Sequence, residues 1–185
     1  GVLTVEASSL NNGGLEIHND AGVTVNGVLN TSAGGGTLVL EAASWNIGFN
    51  DFDNTLSAGS GDVTVTASAG NITVANADAK DEIVTTGTVN LTGGAIGAVN
   101  PLDINGATAL TVTDLAGAGD ISIREQTAST IASTDITVPT ATSGNIDIDY
   151  FNANVVDINE GHFLNQVDLS NVTSSLFTYT AGAGN

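Results

Sequence analysis

The sequence predicts an all-β protein, a right-handed parallel β-helix (β-solenoid) with roughly 20 residues in each coil. Three observations support this prediction. Apolar and polar residues alternate in short runs along the chain, alternate runs recur at a near-constant spacing, and a similar Gly-containing phrase opens several of them. Together they describe a repeat too short for a domain and long enough for one coil of a solenoid.

The alternation identifies the strands. A run in which every second residue is apolar is typical of a strand with one buried face. The apolar pairs are Leu3/Val5, Leu15/Ile17, Val23/Val25, Leu38/Leu40, Val63/Val65, Ile72/Val74, Val89/Leu91, Leu102/Ile104, Leu110/Val112, Ile121/Ile123, Ile136/Val138, Ile146/Ile148, Val156/Ile158 and Val167/Leu169. No helical period of comparable length appears, so no helix longer than one turn is predicted.

The spacing indicates how the strands stack. The first apolar residues of alternate strands stand 20, 19 and 19 residues apart in the central part of the chain. These residues are Val63, Ile83, Leu102 and Ile121. We expect two short strands in each coil, with these four residues stacked at equivalent inward positions about 4.8 Å apart. Parallel crossovers are right-handed by default, which sets the expected handedness.

The recurring phrase indicates the corners. It places Gly and then Asp or Asn before the first apolar residue of a strand, at 61–65, 70–74, 119–123 and 144–148. Gly tolerates a left-handed turn, and Asp or Asn hydrogen-bonds the local backbone there. An antiparallel β-sandwich is the competing fold, although it does not explain the constant spacing.

The organisation predicted is one solenoid segment over residues 1–185, part of a longer chain or filament. The repeat is less regular at 41–56 and at 124–136, which are candidate loops or insertions.

Composition and charge exclude several classes of partner. The 185 residues include 23 Gly, no Cys and only two basic residues against 20 acidic ones, for a formal charge of −18. Binding to nucleic acid requires clustered Lys and Arg, so nucleic acid is excluded as a direct partner. Anionic membrane surfaces are disfavoured for the same reason, and no apolar run is long enough to insert into a membrane. The scattered acidic residues are typical of a solvated, self-repelling surface.

Several phrases resemble a known family. The segments 61–67, 94–97, 101–104 and 119–123 resemble the repetitive shafts of filamentous-haemagglutinin-like exoproteins and autotransporter adhesins. The resemblance implies a secreted β-helix at the cell surface, with an adhesive or spacer role in an extracellular filament. It implies a receptor that is a host-cell molecule, a neighbouring-cell molecule or a glycan, and it supplies no catalytic residues.

The inventory of reactive residues predicts a protein that is not an enzyme and has no cofactor. Asp147 and Asp149 flank an inward Ile and project outward about 7 Å apart, within the range used by inverting glycosidases. A soluble solenoid needs outward acidic residues in any case, and only Lys80 and Arg124 could bind a substrate carboxylate. The two histidines, His18 and His162, are isolated in the sequence.

A polysaccharide-binding or polysaccharide-cleaving β-helix remains the alternative function. Its glycan contact would be the aromatic group Trp45, Phe49 and Phe52. Calcium is the only metal that the composition suggests, because hard oxygen ligands suit it, although no EF-hand loop is present. The densest acidic clusters contain Asp51, Asp53, Asp78 and Asp81. Sequons for N-glycosylation begin at Asn30, Asn71, Asn90 and Asn171.

The two ends of the segment carry no recognisable cap. The chain enters strand sequence at 2–5, and its last strand-like run is 176–180. Open β-edges template association, so natural solenoids cover them. We therefore expect each end to be covered by further coils of the same protein or by the next subunit in a head-to-tail filament.

Overall fold

The computed structural model describes residues 1–44, 46–49, 56–76, 81–115 and 119–125. Beyond them it describes the backbone of the strands at 133–138, 146–149, 155–160, 166–168 and 176–181. All regular elements of this described part are strands, and every pairing between them is parallel. The predicted β-solenoid is therefore confirmed, and the antiparallel sandwich is excluded.

The strands follow one another at short intervals. In chain order they are β1 (Leu3–Val5), β2 (Ser8–Ser9), β3 (Leu15–Asn19), β4 (Val23–Val25), β5 (Leu29–Asn30), β6 (Leu38–Ala42), β7 (Ile47–Phe49), β8 (Leu56–Gly59), β9 (Val63–Ala67), β10 (Ile72–Val74), β11 (Ile83–Thr85), β12 (Thr88–Gly93), β13 (Leu102–Asn105), β14 (Ala109–Asp114), β15 (Ile121–Glu125), β16 (Ser133–Val138), β17 (Ile146–Asp149), β18 (Val155–Glu160), β19 (Gln166–Asp168) and β20 (Leu176–Ala181). Each of the fourteen apolar pairs predicted from the alternation begins inside one of these strands.

Three sheets wind along the solenoid. Sheet A has four strands in the order β1-β4-β7-β10. Sheet B has eight strands, from β2 through β5, β8, β11, β13, β15 and β17 to β19. Sheet C has eight strands, from β3 through β6, β9, β12, β14, β16 and β18 to β20. From β1 to β12 each coil therefore has three strands, one more than the alternation predicted.

The extra strand is short, which explains why the pattern missed it. β2 and β5 have two residues each, and β7 has three residues inside the stretch predicted to be irregular. Two residues are too few to show a period of two.

The predicted stack of four residues is wrong. Val63 pairs with Leu38 and Val89 in sheet C. Ile83 pairs with Leu56 and Ile104 in sheet B. The coil length also varies, because the turns between strands differ in length. Ile148 pairs with the residue 19 positions later, whereas Leu29 pairs with the residue 27 positions later.

One continuous hydrophobic core fills the interior. The inward residues alternate with half-buried outward ones, as in β9, where Val63, Val65 and Ala67 are buried. The largest buried side chains are Phe49, Leu29, Leu38, Leu40, Ile47, Leu56, Ile72, Ile83, Leu91, Ile96 and Leu102. They are β-branched or aliphatic with a single aromatic exception, which suits packing between parallel sheets.

Sheet A ends where the chain turns away at Gly97. Ile96 still forms parallel bridges to Ile72 and Ile121, but Gly97 takes a φ of 63°. A Cβ at Gly97 would lie 2.1 Å from the carbonyl oxygen of Ser122, so only glycine fits this turn. β15 pairs both with Ile96, through Ile121, and with β13. One strand thus follows the two neighbours that lay in separate sheets, and the later described coils have two strands.

Candidate functional site

A column of charged residues lies on the outer side of sheet B. The register of β11 with β13 places Glu82 next to Asp103, and the register of β13 with β15 places Asp103 next to Arg124. The Arg124 guanidinium donates from Nε to Asp103 Oδ1 at 2.7 Å and from Nη2 to Asp103 Oδ2. The backbone N–H of Asp103 donates to Glu82 Oε2 at 2.8 Å. The stacking of coils thus joins three residues, each 21 positions after the one before it.

This column is buried although it faces away from the core. Glu82 is 2% exposed and Asp103 is 1% exposed, whereas the Arg124 side chain is 32% exposed. A buried carboxylate is tolerated when it is paired and hydrogen-bonded, as Asp103 is here. Arg124 is therefore part of a structural ion pair, which makes it a poor candidate for binding a substrate carboxylate.

A second charged group surrounds His18 on the outer side of sheet C. His18 and Glu41 are Cα partners in β3 and β6, and His18 Nδ1 lies 2.6 Å from Glu41 Oε2. His18 Nε2 lies 3.6 Å from Glu16 Oε2. The hydrogen bond to Glu41 raises the pKa of His18 above its ordinary value of 6.5, and Glu16 adds to the effect. His18 is isolated only in the sequence, because the coil register brings the second carboxylate to it.

We expect Glu41→Gln to lower the pKa of His18, because it removes the strongest carboxylate partner of the imidazolium. The measurement is an NMR titration of the His18 ring protons in the parent chain and in the variant. A raised folded-state pKa stabilises the fold below the unfolded-state value, and the contribution is lost as the pH rises through the folded-state value. Glu6→Gln serves as the matched control, because Glu6 bonds Asn26 instead. An unchanged His18 titration in Glu41→Gln would contradict the prediction.

Two shallow clefts meet at Asn71, on the corner between sheets C and A. The first, of about 280 Å³, is lined by Ser68, Ala69, Gly70, Asn71, Gly94 and Leu115. The second, of about 250 Å³, is lined by residues 71–75, Ala95 and residues 98–100. Neither lining, as described, contains a titratable side chain. These clefts therefore offer shape and hydrogen-bonding groups, but no acid or base.

The proposed aromatic glycan contact is not assembled. Phe49 is 1% exposed, because it points inward from β7 and packs in the core. The prediction that Phe49 contacts a glycan is therefore wrong, since a buried ring presents no face to a sugar. Trp45 and Phe52 lie outside the described residues.

The calcium candidates fall mostly where the structure gives no description. Asp51, Asp53 and Asp78 lie outside the described residues. The carboxylate of Asp81 accepts a hydrogen bond from Asn105 Nδ2 at 3.0 Å. Within the part of the chain that is described, no group of three or more His, Cys, Asp or Glu side chains is placed to hold a metal ion.

The sequons differ in how accessible the asparagine is. The Asn30 side-chain oxygen accepts hydrogen bonds from the Ser32 N–H and hydroxyl group. Asn71 is exposed on the corner, and Asn90 is half-buried on the outer side of β12. Asn171 lies outside the described residues.

The remaining reactive residues fall beyond the described side chains. Asp147 and Asp149 lie in β17, as the alternation predicted, but only the backbone of this strand is described. Lys80 and His162 lie outside the described residues.

Comparison of the chain with protein-family models, with curated proteins and with solved structures finds no match. Among the residues with a described structure, no helix is long and apolar enough to cross a membrane. The class that the fold defines is the parallel β-solenoid.

Proposed function

We propose that the chain is a non-catalytic structural or adhesive shaft of a secreted, cell-surface filament protein of the filamentous-haemagglutinin-like kind. The observation that carries the proposal is the pair of eight-stranded parallel sheets around one continuous core. In these two sheets each strand pairs in parallel with the strand of the next coil, so the molecule extends along a single axis by adding coils. Such a scaffold is suited to holding a binding element at a distance from a cell surface.

The surface chemistry supports an extracellular spacer. A formal charge of −18 repels neighbouring copies and keeps an elongated β-rich protein dispersed. The described basic side chain, Arg124, is engaged with Asp103. The surface therefore offers little attraction to polyanions, and we propose a receptor on a host or neighbouring cell that is not strongly anionic.

The described clefts favour the shaft over the polysaccharide-cleaving alternative. Cleavage of a glycosidic bond requires an acid and a base or nucleophile facing the sugar. The clefts at Asn71 contain no titratable group, and Phe49 is buried in the core.

We expect no turnover of uronic-acid or neutral glycans by this chain, and no saturable binding that depends on Trp45. The measurement combines isothermal titration calorimetry with a reducing-end assay over a panel of both glycan classes. Trp45→Ala is compared with the parent chain, and Phe49→Leu serves as a core control that leaves the surface unchanged. Turnover, or saturable binding that Trp45→Ala abolishes, would replace the shaft proposal with the glycan-active one.

A further inference from the structure

The outer edges of β1, β2 and β3 have no strand beside them in the described structure. Each of these strands is the first of its sheet and pairs only with the strand of the next coil. In a parallel sheet, the backbone N–H and C=O groups of every second residue bond one neighbouring strand, and those of the residues in between point to the opposite side. The Leu3 and Leu15 N–H groups donate to the second coil, so those of Thr4, Glu16 and His18 point away from it. Three strand edges thus face along the solenoid axis.

The core is also incomplete at this end. Leu3 is 40% exposed, and Leu15 and Ile17 are only partly buried. Their Cα partners in the second coil, which include Leu38 and Leu40, are fully buried. The first coil thus has the inward aliphatic residues that would pack against a preceding coil. We infer that the first coil is a docking surface for a three-stranded parallel β-coil that stacks on β1, β2 and β3 in the register of the coils that follow.

The geometry defines what this coil must look like. It needs aliphatic inward residues over Leu3, Leu15 and Ile17, because these continue the packing of sheets A and C. Over β2 its inward residue faces Ser8, a small side chain in the position that Leu29 has in the second coil, so an aliphatic residue such as Leu29 fits there. Recognition of this kind combines main-chain hydrogen bonds with side-chain packing, as in β-strand addition.

The described strands at the opposite end of another copy do not meet these requirements. The last described strands are β19 in sheet B and β20 in sheet C, whereas sheet A ends at β10. A head-to-tail contact through these described strands of identical copies would therefore leave the edge of β1 unpaired. The inferred partner is a three-stranded coil supplied from outside residues 1–185, rather than the last coil of a second copy.

The experiment places a copy of the chain's own residues 22–45, a complete three-stranded coil, directly before Val2. This graft is in register, because residue 22 precedes Val23 as residue 2 precedes Leu3. We expect hydrogen exchange at the Thr4, Glu16 and His18 amides to slow by at least about tenfold, because they gain strand partners. The Leu3 and Leu15 amides, already bonded, provide the internal reference.

The matched control is the same graft with its copies of Val23, Val25, Leu38 and Leu40 changed to Ser, which should not protect these amides. Exchange that is unchanged by the unmodified graft would overturn the inference. If the ungrafted chain at high concentration protects the same amides as strongly as the graft does, end-to-end association is the cause. That result would overturn the inference in favour of a second copy. The inference rests on the proposed shaft, but the graft can fail while the glycan experiment still supports a shaft.

Discussion

Ile121→Asp is expected to reduce the free energy of unfolding by more than about 3 kcal/mol, because it places an unpaired carboxylate in the core. Ile121 is 1% exposed and begins β15. It bridges Ile96 and pairs with Ile146, at the point where three strands per coil become two. The measurement is urea unfolding followed by circular dichroism.

Two further variants separate the effect of burial from that of charge. Thr113→Asp adds a carboxylate at an outward, half-buried position of β14 and should change the unfolding free energy by less than about 0.5 kcal/mol. Ile121→Val removes one methylene and should cost about 1 kcal/mol. If Ile121→Asp unfolds the protein entirely, Ile121→Val still reports whether the site is packed. Equal stability of both Asp variants would show that Ile121 faces solvent.

Arg124→Met is expected to reduce the free energy of unfolding by about 3 kcal/mol, because it leaves the Asp103 carboxylate buried without its guanidinium partner. Removing one member of a buried ion pair costs more than the pair itself contributes, since the remaining charge stays desolvated. Because Arg124 is partly exposed, we expect the loss in unfolding free energy to be no larger than about 3 kcal/mol.

The double variant Asp103→Leu/Arg124→Met tests the cause of that loss. It removes both charges and keeps apolar volume, so it should recover most of the stability lost in Arg124→Met. Recovery in the double variant identifies the unpaired carboxylate as the cause. A loss in Arg124→Met of less than about 0.5 kcal/mol would mean that water solvates Asp103.

The short strands show where sequence periodicity stops being informative. The runs at 63–67 and 121–125 have enough residues to show alternation, and both are strands with the predicted inward residues. β2 and β5 have two residues each, so no pattern within them can be recognised. Their strand conformation comes from pairing with the coils on either side, which is a non-local interaction.

The candidate site shows the same division. His18 lies two residues from Glu16 in the sequence, and it acquires Glu41 only through the register of β3 with β6. Asp103 reads in the sequence as an outward, solvated residue between Leu102 and Ile104, and the structure buries it against Arg124. A clue to this pair was present in the sequence, because Arg124 lies one coil length, 21 residues, after Asp103.

The sequence alone determined that the chain is a β-solenoid and which side faces the core in ten of the described strands. Both depend on local alternation and on turn residues, which act over a few positions. Only the tertiary structure decided the number of strands in each coil, the register and the pairing of charged residues. Turns of different length shift each strand relative to the next by amounts that no constant spacing contains. A shift of a few residues decides which side chains lie about 4.8 Å apart in adjacent coils.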